Sequence, residues 1–381
     1  MSRPVTISDL RARAGRRLPR FVHGFLEGGA GEENGLRRNQ SRLDDVQLLP
    51  RYLINIEERS TRTTLFGREW TAPIGAAPIG MANLIWPDAD RAIARAAGVL
   101  GMPASISTAA STSLEDFSTV AGDNGWFMLY PGRAEPVVAD LVDRAEAAGY
   151  DVLVVTVDIP LASIRPRERR GGFVAPMRIT PRVALDAIAH PAWSLSMLRH
   201  GVPQFANMAR YTGAKSDTNA QAAYLGRLTT GRFDWERLEA LRARWPHRMV
   251  VKGILSPDDA LRAQAMGCDG IVVSNHGGRQ MDSAPATIDM LPLIRAAVGP
   301  DYPLLFDSGV RSGEHIVKAL ALGADFVLCG RAVLYGLAAL GPAGAAFALD
   351  LLRTETDIAL GQLGFRSIAE LKASPPLFSP A

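Results

Sequence analysis

Three ten-residue stretches share one pattern. AAGYDVLVVT (147–156), AMGCDGIVVS (265–274) and ALGADFVLCG (321–330) each place Ala-x-Gly-x-Asp ahead of an apolar run. Such a pattern predicts a helix end, a glycine just past it, a short loop and then a strand. The runs are apolar throughout rather than alternating, which is the mark of strands buried on both faces in a parallel sheet. PIGAAP (73–78), PASIS (103–107), WFMLY (126–130), MVVKG (249–253) and LLFDSG (304–309) have the same character and bring the candidate strands to eight. Amphipathic stretches at 88–99, 134–147, 256–266 and 312–322 lie between them. Helix-start signals precede several, as at Pro87-Asp88, Ser256-Pro257-Asp258-Asp259 and Ser312-Gly313-Glu314. Eight βα units predict an α/β fold of the (β/α)8 TIM-barrel type. An open doubly wound sheet is the alternative arrangement of the same units.

The rest of the chain is organised around those units as one domain. Residues 71–165 and 233–350 are assigned to the barrel, 1–70 to an N-terminal extension helical around 8–40, and 351–381 to C-terminal helices. Residues 166–232 interrupt the units after strand four and exceed an ordinary connection. Between Arg165 and Lys215 there are nine Lys or Arg against two Asp or Glu, with Trp193, Leu195, Met197, Leu198 and Phe205 among them. This insertion reads either as a solvated lid or as a surface, centred on 176–212, for peripheral contact with an anionic membrane. The first twenty residues contain no apolar core of a signal peptide, so a cytoplasmic protein is expected, or one resting on the inner face of the cytoplasmic membrane. Basic residues exceed acidic ones by only three among 381 positions, which gives no electrostatic case for nucleic acid. Cys268 and Cys329 sit in apolar runs and read as buried thiols; neither a disulfide nor a metal site is expected.

Chemistry in a TIM barrel gathers at the C-terminal ends of the strands. Here those ends carry Ser107, Tyr130, Thr156 with Asp158, Lys252, Ser274 with His276, Asp307 with Gly309, and Gly330 with Arg331. Strands seven and eight end in DSGVRSG (307–313) and CGRAV (329–333), where glycine, Arg311 or Arg331 and a helix start suit a phosphate. Lys252 would bring an ammonium to the barrel mouth, where it could stabilise a reduced, anionic ring. In SNHGGR (274–279), His276 titrates near neutrality and suits a general base. Arg279 offers a planar fork for a small carboxylate, with Arg165 as a second clamp. Asp158 could hold the imidazole tautomer.

Taken together, SNHGGRQMD (274–282), DSGVRSG (307–313) and GRAVLYGLA (330–338) are similar to the FMN-dependent L-2-hydroxy acid oxidase and dehydrogenase family. The likeness runs from LPRFVHGFLEGGAGEENG (18–35) to the final helices. HPAWSLSMLRHGVPQFANM (190–208) and RWPHRMVVKGILSPDDALR (244–262) resemble its (S)-mandelate dehydrogenase branch, with membrane L-lactate dehydrogenases next. The resemblance implies one non-covalent FMN and oxidation of an L-2-hydroxy acid to the 2-oxo acid. It makes His276 the base, supported by Asp158, with Arg279 and Arg165 on the carboxylate and Tyr130 on the substrate oxygen. It places Pro78, Ile79, Gly80, Ser107, Met128, Thr156, Lys252 and Ser274 around the flavin, and Asp307, Gly309, Arg311, Gly330 and Arg331 on its ribityl and phosphate parts.

Two positions depart from the family pattern. Phe25 stands where the family usually has Tyr beside the substrate carboxylate, and Met128 where it usually has Gln beside the flavin. Gly80 and Ala109 are small, Ala109 standing where glycolate oxidase has Trp, which suits an aryl or bulky substituent of the mandelate kind. L-lactate or glycolate oxidation is the alternative within the family, and a flavin-binding protein without this activity is the alternative outside it. The resemblance also implies a homotetramer and an electron acceptor, with oxygen, a quinone and a cytochrome all open. His276 could take the proton from Cα in a carbanion route or from the hydroxyl in a hydride route.

Overall fold

The computed structural model describes residues 3–172, 180–213, 217–228 and 231–378. Two short strands, β1 (Thr63–Leu65) and β2 (Arg68–Trp70), form an antiparallel hairpin. Eight parallel strands then close into a barrel: β3 (Ile74–Ile79), β4 (Ala104–Ser107), β5 (Gly125–Leu129), β6 (Val152–Thr156), β7 (Arg248–Ile254), β8 (Gly270–Val273), β9 (Leu304–Phe306) and β10 (Phe326–Cys329). They follow one another round the barrel in chain order, and β10 pairs with β3 to close it. The open-sheet alternative therefore falls.

The repeated motif does what its residues dictate. Gly149, Gly267 and Gly323 all have left-handed φ, at 82°, 76° and 112°. In each repeat the next residue donates its N–H to the carbonyl five positions back: Tyr150 to Ala145, Cys268 to Ala263 and Ala324 to Ala319. These bonds end the helix and turn the chain toward the barrel. The motif's aspartate has a further use in two of the repeats. Asp269 accepts from the Met249 N–H and Asp325 from the Leu304 N–H, which ties the loop to the first residues of the preceding strand.

Helices pack outside the barrel. An extension precedes it, with α1 (Ile7–Arg17), α2 (Arg20–Glu27) and α3 (Asn34–Asp45). α4 (Ala89–Val99), α5 (Leu114–Ala121) and α6 (Glu135–Ala147) follow β3, β4 and β5. After β6 comes the insertion, α7 (Pro166–Gly171), α8 (Pro181–Ile188), α9 (Pro191–His200), α10 (Ala206–Thr212) and α11 (Thr218–Leu228), before α12 (Trp235–Arg244) returns to the barrel. α13 (Pro257–Ala265), α14 (Thr287–Val298), α15 (Gly313–Ala321) and α16 (Arg331–Leu340) complete the units. α17 (Ala343–Gln362) and α18 (Ile368–Ala373) end the chain, α17 crossing the 350/351 boundary expected from sequence. Ser256 and Ser312 cap α13 and α15 through their side chains, as their positions foretold.

Alternation along the strands divides the apolar residues into two clusters. Phe127, Leu129, Leu153, Val155, Val251, Val273 and Phe306 join the large core beneath the helices. Trp126, Met128, Val154, Val250, Val272, Leu305, Phe326 and Leu328 fill the barrel interior. The hairpin plugs the N-terminal end of that interior. Trp70 lies edge-on to both Trp126 and Phe326, with centroids 6.4 Å away in each case. This plug was not foreseen, because each of its strands has only three residues. Among the described residues no helix is long and apolar enough to cross a membrane.

Candidate active site

The alternation that buries Val250 and Leu305 sends the next interior positions on β7 and past β9 to the mouth as Lys252 and Asp307. The two form a buried ion pair, Nζ to Oδ2 at 2.8 Å, and Nζ also donates to Ser274 Oγ at 2.7 Å. Burial would pull the ammonium down, but Asp307 and Asp158 hold it above its ordinary value.

Past β8 the chain turns sharply. His276, Gly277 and Gly278 are all left-handed, with φ of 58°, 66° and 74°. A histidine pays for that conformation by about 1 kcal/mol. Hydrogen bonds hold it: the His276 N–H donates to Ser274 Oγ (3.0 Å), the Gly277 N–H to Ser308 Oγ (2.9 Å) and the Gly278 N–H to Asn275 Oδ1 (3.0 Å). The turn points the imidazole at Asp158. Nδ1 lies 3.0 Å from Asp158 Oδ1, while Nε2 lies 3.4 Å from Tyr130 Oη. Assigning the ring proton to Nδ1 leaves Nε2 with a lone pair toward Tyr130. Burial pushes the imidazole below its ordinary value, against the pull of Asp158. Burial also works to raise Asp158, but His276 and Lys252 keep its carboxyl below the usual range. An ionised Asp158 facing a neutral His276 is the state these directions describe. Asp158 can sit there because residue 253 is glycine: a Cβ on Gly253 would lie 2.6 Å from Asp158 Cβ. Loss of solvent around the phenol, then the nearby Asp158 anion, pushes half-buried Tyr130 up to about 12, so it stays protonated.

A cavity of about 340 Å³ opens at this mouth. Of the residues singled out from sequence, it is lined by Phe25, Pro78, Ile79, Gly80, Ala109, Met128, Tyr130, Arg165, Lys252, His276, Arg279, Asp307, Gly309, Arg311, Gly330 and Arg331. Ser107, Thr156, Asp158 and Ser274 are not on its wall. Ser274 and Asp158 act on its lining through Lys252 and His276, while Thr156 borders a smaller, largely apolar pocket that also touches Tyr130. Thr156 Oγ1 is buried with no partner among the described residues.

The arginines are placed differently from one another. Arg279 donates through Nη1 to the carbonyls of Phe25 (3.0 Å) and Gly28 (2.9 Å), and its Cζ lies 5.3 Å from the centre of the Phe25 ring. Arg165 donates through Nε to Ser163 Oγ and to the Arg279 carbonyl, both at 3.2 Å. Burial, then Arg279, push its guanidinium down to about 10. Arg331 donates to the carbonyls of Leu26, Gly277 and Gly28 at 2.8–2.9 Å. Burial, with Arg279 and Arg311 nearby, pushes it down to about 9, still protonated at neutral pH. Arg311 spends Nη1 on the Val310 carbonyl at 2.7 Å, and its Nε is buried without a partner among the described residues.

Two residues of this neighbourhood escaped the sequence reading. Asn39, on α3, exchanges two amide hydrogen bonds with Asn275 at 2.7 Å each and so grips the His276 turn from the extension. Glu168, on α7, lines the cavity and meets Arg279 Nη2 at 2.7 Å.

A family model described as FMN-dependent dehydrogenase matches residues 14–375. The chain belongs to the FMN-dependent dehydrogenase family. It is 40% identical over 365 residues to the (S)-mandelate dehydrogenase of Pseudomonas putida, covering 96% of this chain and 92% of that one. An L-lactate dehydrogenase of Stenotrophomonas maltophilia is likewise 40% identical, with 96% of each chain covered. Among solved structures, a monotopic membrane protein (S)-mandelate dehydrogenase superposes with a TM-score of 0.95 at 39% identity over 100% of both chains. A mandelate oxidase solved with (S)-4-hydroxymandelic acid gives 0.84 at 38%, covering 97% of this chain and 98% of that one. The cofactor of this FMN-dependent dehydrogenase is FMN, and the cavity has the chemistry to receive it. Arg311 has a buried, unspent donor, Lys252 supplies a fixed positive charge beneath the mouth, and Pro78, Ile79 and Gly80 give one wall with little polar surface.

Proposed function

We propose that this dehydrogenase oxidises an L-2-hydroxy acid with an aryl or similarly bulky substituent to the corresponding 2-oxo acid. The observation that carries the reading is the convergence of a neutral, Asp158-bound imidazole, the Tyr130 phenol and two guanidinium groups on one cavity. FMN supplies the two-electron acceptor for the hydroxy carbon. Arg279 and Arg165 bind the substrate carboxylate, and Tyr130 hydrogen-bonds the hydroxyl oxygen. His276 takes up the proton at Nε2, while Asp158 stabilises the imidazolium that results. Arg311 and Arg331 hold the cofactor phosphate with the backbone near Gly309 and Gly330, and Asp307 its ribityl chain. Pro78, Ile79, Gly80, Ser107, Met128, Thr156, Lys252 and Ser274 surround its ring system.

Gly80 and Ala109 add little bulk to the wall, and Phe25, Ile159 and Phe205 offer apolar surface, which favours an aryl group. The likeness to L-lactate dehydrogenases supports lactate as a second reading. Mixing the pure holoenzyme anaerobically with (S)-mandelate and with L-lactate decides between them. Bleaching of the flavin band by mandelate at lower concentration is expected. Preference for lactate overturns the aryl reading, and no bleaching by any 2-hydroxy acid overturns the oxidation itself.

Peripheral membrane contact and a homotetramer are part of the same proposal. The first is supported by exposed Leu185, Ile188, Leu195, Leu198 and Val202, with Arg182 and Arg199 on the same helices. Residues 176–179 of the expected contact segment lie outside the described residues.

A further inference from the structure

The two guanidinium groups assigned to the substrate carboxylate already share a carboxylate of the protein. Glu168 Oε1 lies 2.7 Å from Arg279 Nη2, and Oε2 lies 3.6 Å from Arg165 Nη1. Its side chain is 10% exposed, and the residue is on the cavity wall. The contact follows from local geometry. Arg165 is the N-cap of α7 and Glu168 stands three residues on, so the two side chains rise from the same turn. We infer that Glu168 sets the net charge of this clamp at one positive unit and makes the site select monocarboxylates against acids that carry a second carboxylate near the first.

The inference rests on the reading of Arg279 and Arg165 as the carboxylate clamp. Arg279 gives both Nη1 hydrogens to the carbonyls of Phe25 and Gly28, and one Nη2 hydrogen to Glu168. A ligand is left Nε–H and the second Nη2 hydrogen, enough for one carboxylate. One monoanion neutralises the remaining charge. A second carboxylate finds no unshared cation within the clamp and lies beside the Glu168 anion. Lys252 is committed to Asp307, and Arg311 and Arg331, the other cations on the cavity wall, are assigned to the cofactor phosphate. Like charges forced together in a partly dry site are a strong means of rejection.

Propionate and malonate test this. They differ by a methyl exchanged for a carboxylate, they are small, and neither can be oxidised at a hydroxyl. Their inhibition constants would be measured on FMN-loaded wild type, Glu168→Gln and Arg279→Ala, with the flavin spectrum as the check on loading. In Glu168→Gln, propionate should bind about tenfold tighter and malonate about a hundredfold tighter, the range expected when a charged hydrogen-bond competitor is withdrawn. Glu168→Asp, which keeps the charge but shortens the reach, should tighten propionate while preserving the discrimination against malonate; loss of that discrimination overturns the inference, and this variant decides if Glu168→Gln fails to load FMN. If Glu168→Gln weakens both ligands, or leaves their ratio at the wild-type value, Glu168 merely braces Arg279 and the inference is wrong. If Arg279→Ala leaves both constants unchanged, the clamp reading has failed and takes the inference with it.

Discussion

The barrel carries two additions, and they are built on opposite terms. The N-terminal extension is set into the molecule. Ile7, Leu10, Phe21, Val22, Leu26 and Leu43 are buried, Asn39 grips the His276 turn, and the last turn of α2 receives Arg279 and Arg331 on its carbonyls. The insertion is laid on from outside. Trp193, Asn207 and Met208 anchor it, yet Leu185, Ile188 and Leu198 are 67%, 73% and 83% exposed. A segment that spends its apolar residues inward becomes part of the site, and one that leaves them outward has surface to offer a partner. The boundary is not absolute, since α7 opens the insertion and delivers Arg165 and Glu168 to the cavity.

The comparison can be broken at its centre first. His276→Ala removes the group that the extension helps to hold. Flavin reduction should fall by about a hundred- to ten-thousand-fold with FMN content unchanged, as read by stopped-flow absorbance; near-normal reduction would refute the assignment. The pH profile adds a sign. The imidazole is held below its ordinary value of about 6.5, so the neutral, competent form persists above that lowered value and activity is lost only as pH falls through it. The acid limb should therefore lie below about pH 6.5. Asp158→Asn removes the anion that pulls the imidazole upward and should move the limb lower still.

A smaller effect is expected at the extension itself. Asn39→Ala removes both hydrogen bonds between Asn39 and the buried Asn275 amide, a loss of about 1–3 kcal/mol in stability. Flavin reduction should slow by up to about a hundredfold, because the His276 turn is no longer fixed. Full activity in the folded variant would mean that the extension supports the fold but not the site. The smallest effect on catalysis belongs to the insertion. Leu185→Ser combined with Leu198→Ser should leave flavin reduction within about twofold and stability within about 0.5 kcal/mol, yet abolish co-sedimentation with anionic vesicles. Slowed reduction in this double variant would show that the insertion, too, is built into the site.

Much of this arrangement was legible in the sequence, and for physical reasons. The strands are apolar on both faces, so their existence needs no knowledge of their partners. Chemistry collects at their ends, so His276, Lys252 and Asp307 announce themselves by position. What the sequence hid are contacts between distant segments. Asn39 and Asn275 stand 236 positions apart, and neither belongs to a pattern. Glu168 could have been found, since an acid three residues past Arg165 on a helix must approach it, but its bond to Arg279 spans 111 positions. The hairpin that plugs the barrel was missed because three-residue strands carry too little periodicity to register.

The left-handed turn at 276–278 has a consequence for how this protein could change. Glycine or asparagine would occupy position 276 at lower conformational cost than histidine, and of the three only histidine offers the imidazole proposed as the base. Substitutions at this one position would therefore rank in opposite orders for thermal resistance and for turnover. A lineage or a laboratory screen rewarded for robustness alone would drift toward a sturdier flavin carrier that has forgotten its reaction.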